Sequence, residues 1–399
     1  MRVLASWTRR YTPQLLALVG VALLLAVFPP HPALALLPIM GTMWPYQDTY
    51  LPALGINPAA ISAGGDAGAR KNMLVQQGAA IQYLDLQLTA TATISAGSTA
   101  RYLGSLLQCF DFVAFNENGD PIVDDVKMEI VRAINEAQAL SAISGVRLPL
   151  GTGAATAAAY SLREIVRVPF AGQLLMRPQE TAFIEKNPAG KTYLQVQFSL
   201  NAASNLITVP GNVTFTNVQV AVIQRDNYQQ STIPWFRPRI RTIPVPVAAA
   251  GVQQPIPINS DRWIGGIVLS QYAGTVGFVN DILQSFIVQS DKTVYWGNGQ
   301  VPFPIIQQEA EETQGGAVLL PTPNNAHLVL PFQQAGRLST MMQPNQQNLR
   351  IIPTAQPTAA AGATSSALYV TLLEYERFPA AFAYAGGQRF VTNPKPLPW

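Results

Sequence analysis

Hydrophobic and polar residues alternate along most of the chain after residue 78. Successive side chains of a β-strand point to opposite faces, so a period of two indicates a strand with one buried face. The clearest case is 83–94, where the even-numbered residues are apolar and the odd-numbered ones are mostly Thr, Gln and Asp. The same alternation in 194–200, 213–223 and 368–372 predicts three further strands.

Shorter apolar runs bounded by Gly, Pro, Asn or Asp continue through the second half of the chain. Runs of this length between turn residues are typical of strands. They predict strands at 263–271, 275–279, 283–289, 293–296, 327–332 and 349–352. So many short strands suit β-sandwiches.

One segment breaks the period of two. From Val126 to Ala137 the apolar residues recur at helical spacing, and Asp124 and Asp125 stand before them. Aspartates at this position can accept hydrogen bonds from the first free backbone N–H groups of a helix. The pattern predicts a helix over 126–139, and we expect it to lie in a loop excursion of a β domain.

Proline is frequent between residues 231 and 258. Because proline lacks the donor that a sheet ladder needs, this range is predicted to connect two domains, each about the length of an eight-stranded jelly roll. The predicted fold class is all-β: two consecutive eight-stranded jelly-roll barrels with a short helical excursion, preceded by an apolar N-terminal segment. The predicted ranges are an apolar segment 1–40, a connecting arm 41–77, a first jelly roll 78–230, a proline-rich connection 231–258, a second jelly roll 259–378 and an extended C-terminal arm 379–399.

Charged residues make up only 12% of the 399 residues, about half the ~25% of ordinary soluble domains. Among the 25 cationic residues 19 are Arg and six are Lys. Interfaces between proteins are depleted in Lys, Glu and Asp and enriched in Arg. The composition therefore indicates a surface that is buried between subunits, or alternatively a membrane or secreted protein with an unusual surface.

The N-terminal segment has two interpretations. An apolar run at 15–28 follows Arg9 and Arg10 and ends before Pro29, which is typical of a secretory signal peptide. If the segment is retained, its cations would lie at lipid headgroups and its apolar residues among the acyl chains. The residues expected to contact a membrane are Arg9, Arg10, Leu15, Leu16, Leu18, Val19, Leu23, Leu24, Leu25 and Phe28.

The sequence offers little catalytic chemistry. Its two histidines, His31 and His327, are too few for a multi-histidine zinc site, and we expect His327 to be a hydrogen-bonded residue of a strand. The single cysteine, Cys109, is expected to be a small buried hydrophobe. The acidic run 116–125 lacks the spacing of an EF-hand, and 151–156 only half matches a dinucleotide loop. We therefore expect no enzyme activity, no cofactor and no metal.

The net charge of +3 is spread without a long basic run. A protein that neutralises many phosphates along a nucleic acid needs a much denser positive charge. Direct nucleic-acid binding is therefore not expected.

The order of these features is similar to that of a known family. Three stretches carry the resemblance: 78–120, 192–228 and 367–376, the last reading Ala-Leu-Tyr-Val-Thr-Leu-Leu-Glu-Tyr-Glu. They resemble the double jelly-roll major capsid proteins of tectivirus-type, internal-membrane-containing bacteriophages, which are related in fold to the adenovirus hexon. The export-like apolar segment at the start of this chain departs from that pattern.

The resemblance implies a homotrimer that forms a pseudo-hexagonal capsomer of an icosahedral shell around an internal membrane and genome. The implied partners are further copies of the chain, minor capsid and vertex proteins, and the internal lipid membrane. Long loops at 140–190 and 297–325 would form outer towers or lock neighbouring subunits. The alternative is a secreted or cell-surface β-sandwich protein that acts in adhesion or binding and has an N-terminal signal peptide.

Overall fold

The computed structural model divides the chain into two units, Met1–Pro45 and Tyr46–Trp399. All residues that the structure describes belong to the second unit. They are 46–55, 71–75, 81–95, 97, 105–115, 121–137, 158–170, 194–200, 213–227, 236–291, 293–297, 326–332 and 348–377.

The described residues form β-strands with one α-helix and one short 3-10 helix. The strands of the first half are β1 Tyr46–Gly55, β2 Lys71–Val75, β3 Ile81–Ile94, β4 Phe110–Phe115, β5 Pro121–Lys127, β6 Ala158–Pro169, β7 Leu194–Leu200 and β8 Val213–Asn227. The 3-10 helix Leu106–Cys109 precedes β4, and the helix α1, Met128–Ala137, follows β5. The strands of the second half are β9 Phe236–Pro246, β10 Gly251–Val252, β11 Ile256–Pro257, β12 Trp263–Ala273, β13 Gly277–Phe278, β14 Leu283–Gln289, β15 Val294–Trp296, β16 His327–Pro331, β17 Arg350–Ala355 and β18 Ser366–Arg377.

These strands form three sheets. Sheet A has the order β1-β8-β3-β6, and sheet C has the order β10-β17-β14-β15 with β11 beside β17. Sheet B is the largest, with the order β13-β12-β18-β9-β5-β4-β7-β2 and β16 beside β12. Strands of the first and second halves meet in sheet B where β5 pairs with β9, the one parallel pairing among the described strands. The sheets of the described strands stay open, so the two predicted barrels are sandwiches of facing sheets.

The alternating pattern predicted β3 correctly. Its even-numbered residues from Leu84 to Ile94 are buried, and its odd-numbered residues are half-buried or exposed. The other predicted strands are present as well, with β14 matching the expected range and β13 reduced to Gly277–Phe278. Alternation is a reliable signal here because each of these strands turns one side toward a hydrophobic core.

Several strands lie where none was predicted. Strands β1 and β2 occupy the range expected as a connecting arm, and β6 lies inside the range 140–190 that was expected to be a long loop. Strand β9 lies in the proline-rich range and pairs with β18 over its whole length. Its prolines Pro238, Pro244 and Pro246 are all even-numbered, so their nitrogens point to the same edge and the ladder to β18 keeps its donors.

The predicted helix exists, but its expected caps do not. Helix α1 begins at Met128, and Asp124 and Asp125 belong to β5. Pairing of β5 with β4 on one side and β9 on the other holds these residues extended, which prevents them from capping the helix. The helix itself is buried from Met128 to Asn135, including its polar residues Glu129, Arg132 and Asn135.

Two hydrophobic cores fill the second unit, and β12 and β18 contribute to both. Core 1 contains Val268 and Leu373 together with most buried residues of the first half. Core 2 lies between sheets B and C and contains Ile267 and Leu372. Neighbouring residues of one strand thus enter different cores, because successive side chains point to opposite faces. Part of sheet B is therefore covered on both sides.

This double burial leads to a stability prediction. Leu372 and Leu373 are both 0% exposed, yet they face different cores. We expect Leu372→Ala and Leu373→Ala each to lower the free energy of unfolding by about 2–5 kcal/mol, as for other buried leucines. Chemical denaturation measures both, with Gln254→Ala at an exposed position of the same half as the control. A value within about 0.5 kcal/mol of wild type for either leucine would contradict the two-sided burial.

Candidate functional site

Polar side chains are concentrated where α1 meets the second half of the chain. Helix α1 lies between β6 of sheet A and the strands β12 and β16 of sheet B. At this position several side chains with charged or hydrogen-bonding groups are buried or, in the case of Tyr369, half-buried. We call them the junction cluster: Lys127, Glu129, Arg132, Ser270, Tyr272, His327 and Tyr369.

Lys127 links the first half to the second. Its Nζ lies 3.3 Å from Oδ1 of Asp111 on β4 and 4.5 Å from the ring centroid of Tyr272 on β12. A second ring, that of Tyr369 on β18, has its centroid 5.4 Å away. Burial by itself lowers the pKa of Lys127, but Asp111 and the two rings outweigh it and raise the pKa above its usual value. Lys127 is therefore a buried, charged contact between strands of both halves.

Glu129 and Arg132 form an ion pair inside α1. They are three residues apart, which places them on the same side of the helix, and neither is exposed. A buried ion pair adds little net stability, but loss of one partner leaves an uncompensated charge that costs about 3–5 kcal/mol. The pair therefore makes the burial of α1 dependent on both residues.

Asn135 at the other end of α1 binds the edge of sheet A. Its Nδ2 donates to the Arg167 carbonyl oxygen at 2.7 Å, and the Arg167 N–H donates to its Oδ1 at 2.9 Å. The side-chain amide thus occupies the place of a neighbouring strand along β6. The Arg167 side chain binds both carboxylate oxygens of Asp85, at 2.6 and 2.8 Å, and its guanidinium lies 3.5 Å from the ring centroid of Tyr83.

His327 and Ser270 face each other across β16 and β12. The His327 Nδ1 lies 2.8 Å from the Ser270 Oγ, and the ring centroid of Phe278 is 4.5 Å from that of His327. Burial, and then the positive charge of Arg132, lower the pKa of His327 well below its usual range. Both residues are 0% exposed, so a substrate cannot reach this pair as it could a catalytic Ser–His pair. The prediction of a hydrogen-bonded strand histidine is confirmed.

The sheets that this junction holds together have the arrangement of solved viral capsid proteins. No protein-family model matches the sequence, and no curated protein matches it. Among solved structures, the major capsid protein of Sulfolobus Turreted Icosahedral Virus is similar at a TM-score of 0.56 and 11% identity, over 84% of this chain and 97% of that one. The PBCV-1 virus capsid is similar at a TM-score of 0.52 and 11% identity, over 83% of this chain and 93% of that one.

Both solved proteins are double jelly rolls. This chain has the double jelly-roll fold. The resemblance inferred from the sequence is therefore confirmed for the fold, whereas the tectivirus-type subgroup stays a prediction. In this double jelly roll the junction cluster lies where the two sandwiches meet, and its chemistry is that of a rigid internal contact.

Other buried polar groups of the double jelly roll also act within one subunit. The Glu164 carboxylate accepts from the Ser105 Oγ at 3.0 Å and from the Leu107 N–H at 3.3 Å, so it holds the 3-10 helix against β6. Burial, and secondly the Glu164 charge, raise the pKa of Cys109 to about 12, which keeps the thiol protonated. The prediction that Cys109 is a small buried hydrophobe is confirmed.

A second charged group lies at one end of the second sandwich. The buried Glu374 of β18 accepts from Arg241 Nη2 at 2.8 Å and from Arg262 Nη1 at 3.3 Å. Its neighbour two residues on, Glu376, is 3.7 Å from Arg239. Within the described residues, no group of three His, Cys, Asp or Glu side chains could hold a metal ion.

Several predicted residues lie outside the described part of the double jelly roll. They are the ten residues expected to contact a membrane, the turn 116–120 and the loop 151–156. Within the described part, no helix is long and apolar enough to cross a membrane. The sequence reasoning missed the junction cluster, although Glu129 and Arg132, three residues apart in an apolar helix, could have indicated a buried ion pair.

The lowered pKa of His327 leads to a prediction on acid stability. In the unfolded chain this histidine has a pKa near 6.5, so below that pH the unfolded state binds the proton that the folded state rejects. Its stabilising contribution is thus present above about pH 6.5 and is lost as the pH falls, by about 1.4 kcal/mol at pH 5.5. Denaturation midpoints between about pH 7.5 and 5.5 measure this loss.

The His327→Gln variant is the comparison, because glutamine can still bond to Ser270 but does not titrate. We expect its stability to fall by about 1 kcal/mol less than that of wild type over the same pH range. Both proteins contain His31 and the same carboxylates, so the difference between them reports on His327. If the stability of both proteins fell equally with pH, His327 would take up its proton in the folded state, and the prediction would be wrong.

Proposed function

We propose that this chain is the major capsid protein of a virus. The observation that carries the proposal is the similarity of its fold to the major capsid protein of Sulfolobus Turreted Icosahedral Virus, which extends over 97% of that protein. The low charge of the chain supports the same function, because a lattice protein buries much of its surface between copies. Its location would be the virion, and its role structural.

The capsomer of this proposal is a homotrimer. Two sandwiches in each chain give three copies six similar lobes, which can tile a pseudo-hexagonal lattice over an icosahedral shell. Such tiling needs two lobes that do not move relative to each other. The continuous sheet B and the buried junction cluster supply that rigidity within one chain. Minor capsid and vertex proteins would complete the shell.

The shell of this proposal encloses an internal membrane and the genome. Tyr46, at the start of β1, pairs with Asn227, and Arg377, at the end of β18, pairs with Phe236. Only eight residues separate Asn227 from Phe236 in the sequence, so in this proposal the chain enters β1 and leaves β18 on the same side of the subunit. The apolar segment 1–40 would then contact lipid, as in a membrane-containing bacteriophage.

The oligomeric state tests the capsid proposal. We expect the purified chain to form trimers that resist dilution, with a mass by light scattering three times the 43.0 kDa of one chain. Electron micrographs of these particles should show a pseudo-hexagonal outline. A chain that stays monomeric at all concentrations would contradict the proposal and would favour a secreted β-sandwich protein.

Vesicle flotation tests the membrane contact. We expect the full chain to float with vesicles of phosphatidylcholine and phosphatidylglycerol, and deletion of residues 1–35 to lower the floating fraction severalfold, since the deletion removes Arg9, Arg10 and the apolar run. Circular dichroism of the deleted chain serves as the control for folding. Equal flotation of both chains, or loss of residues 1–35 from the chain isolated with its particle, would exclude this contact.

A further inference from the structure

The outer face of sheet C carries an apolar stripe. One aliphatic side chain from each of four strands forms it: Val252 of β10, Ile352 of β17, Ile287 of β14 and Val294 of β15. Val252 is 73% exposed and Val294 is 55% exposed, and these two are the exposed large hydrophobic residues of the described chain. We call this set the outer stripe.

The direction of these side chains follows from the strand period. On β17 the neighbours of Ile352, Ile351 and Pro353, are buried, and on β14 the neighbours of Ile287 are buried as well. Ile287 and Ile352 are direct cross-strand partners, so they lie side by side on the outer face. Val252 is the cross-strand partner of Thr354, and Val294 is the partner of Gln289. The four aliphatic residues therefore share the face opposite core 2, with a polar residue between each outer one and the central pair.

The outer stripe resembles part of a protein–protein interface in its composition. The four strands contain 18 residues. At about 3.3 Å along a strand and 4.8 Å between strands they cover roughly 300 Å², somewhat over a third of the ~800 Å² that one partner contributes to a standard interface. Gln284, Thr354 and Arg350 surround the aliphatic side chains on the same face. An apolar centre with a polar rim that contains Arg is the usual composition of a contact between proteins.

The face is also held in a fixed shape. Its inner side packs on core 2 through Phe286 and Val288, both fully buried. At one end the Asn348 Nδ2 donates to Asp291 Oδ2 at 2.6 Å, which ties the start of β17 to the turn after β14. A rigid surface loses little conformational entropy when a partner covers it.

We infer that the outer stripe packs against a second copy of this chain. The inference rests on the proposed function, since it names one subunit contact of the capsomer. Core 1 contains residues of sheet A, core 2 contains residues of sheet C, and β12 and β18 turn opposite faces to the two cores, so sheets A and C lie on opposite sides of these strands. A head-to-tail ring requires contact surfaces that differ and lie on different sides of each subunit.

The opposite side of the chain offers a suitable surface for that contact. The outer face of sheet A presents the exposed residues Thr93, Thr214 and Thr216, with Thr93 and Thr214 as cross-strand partners. This threonine region carries no charge. Covering the outer stripe with it would leave no charge buried without a partner, whereas a charged partner surface would lose its hydration. A second copy therefore fits the outer stripe in charge as well as in position.

The single native cysteine makes a direct test possible. Cys109 is fully buried and stays protonated, so a maleimide added to the folded protein reports on introduced cysteines. The test uses Val294→Cys in the outer stripe and Ala361→Cys, at an exposed position of the connection between β17 and β18, as the matched control. Labelling rates are measured by mass spectrometry on the full chain in its multimer and in denaturant.

We expect the Val294→Cys multimer to be labelled at least tenfold more slowly than the Ala361→Cys multimer, with equal rates in denaturant. Equal rates in the multimer would overturn the inference and leave the capsid proposal standing. A wild-type chain that is only monomeric would overturn both.

A second pair of variants tests the contact by its energy. We expect Val294→Lys to raise the dissociation constant of the multimer at least tenfold, while Ala361→Lys changes it less than twofold. Circular dichroism of the dissociated chains checks that both fold, which the 55% exposure of Val294 favours. A folded Val294→Lys chain with the dissociation constant of wild type would refute the contact.

Discussion

Strands β12 and β18 are buried on both faces, and the arrangement of the second unit follows from this constraint. A strand without a solvent-facing side needs a hydrophobic cover on each face. Sheet C covers one face through core 2, while α1 and other residues of the first half cover the opposite face through core 1. Each half therefore completes the burial of the other. The two sandwiches accordingly belong to one compact unit, Tyr46–Trp399.

The polar groups of the junction follow from the same constraint. A helix placed between two sheets has no solvent side for its polar residues, so each must find a partner inside the protein. Glu129 and Arg132 pair with each other, and Asn135 pairs with the backbone of β6. These contacts hold α1 against β6 and against strands of sheet B. The proposed capsid function would require such a fixed arrangement, because any change in it would be repeated at every lattice position.

The strands could be predicted well wherever one face of a strand meets a core, as in β3. The predictions were wrong where pairing with a distant strand decided the structure. Proline indicated a connection at 231–258, but the prolines of β9 share one edge, and the ladder on the other edge tolerates them. Asp124 and Asp125 looked like helix caps, but pairing with two neighbouring strands keeps β5 extended past them. Local sequence signals do not contain these long-range pairings.

The sequence by itself determined that this chain is an all-β protein with few charged residues, a helix after residue 126, a buried thiol and a hydrogen-bonded strand histidine. These properties follow from residue type and local period. Only the tertiary structure decided that sheet B joins both halves and that Lys127 lies on the rings of Tyr272 and Tyr369. It also decided that Val252, Ile287, Val294 and Ile352 share one outer face. Those contacts join residues that are far apart in the chain. They depend on strand pairing and packing, which the local sequence does not determine.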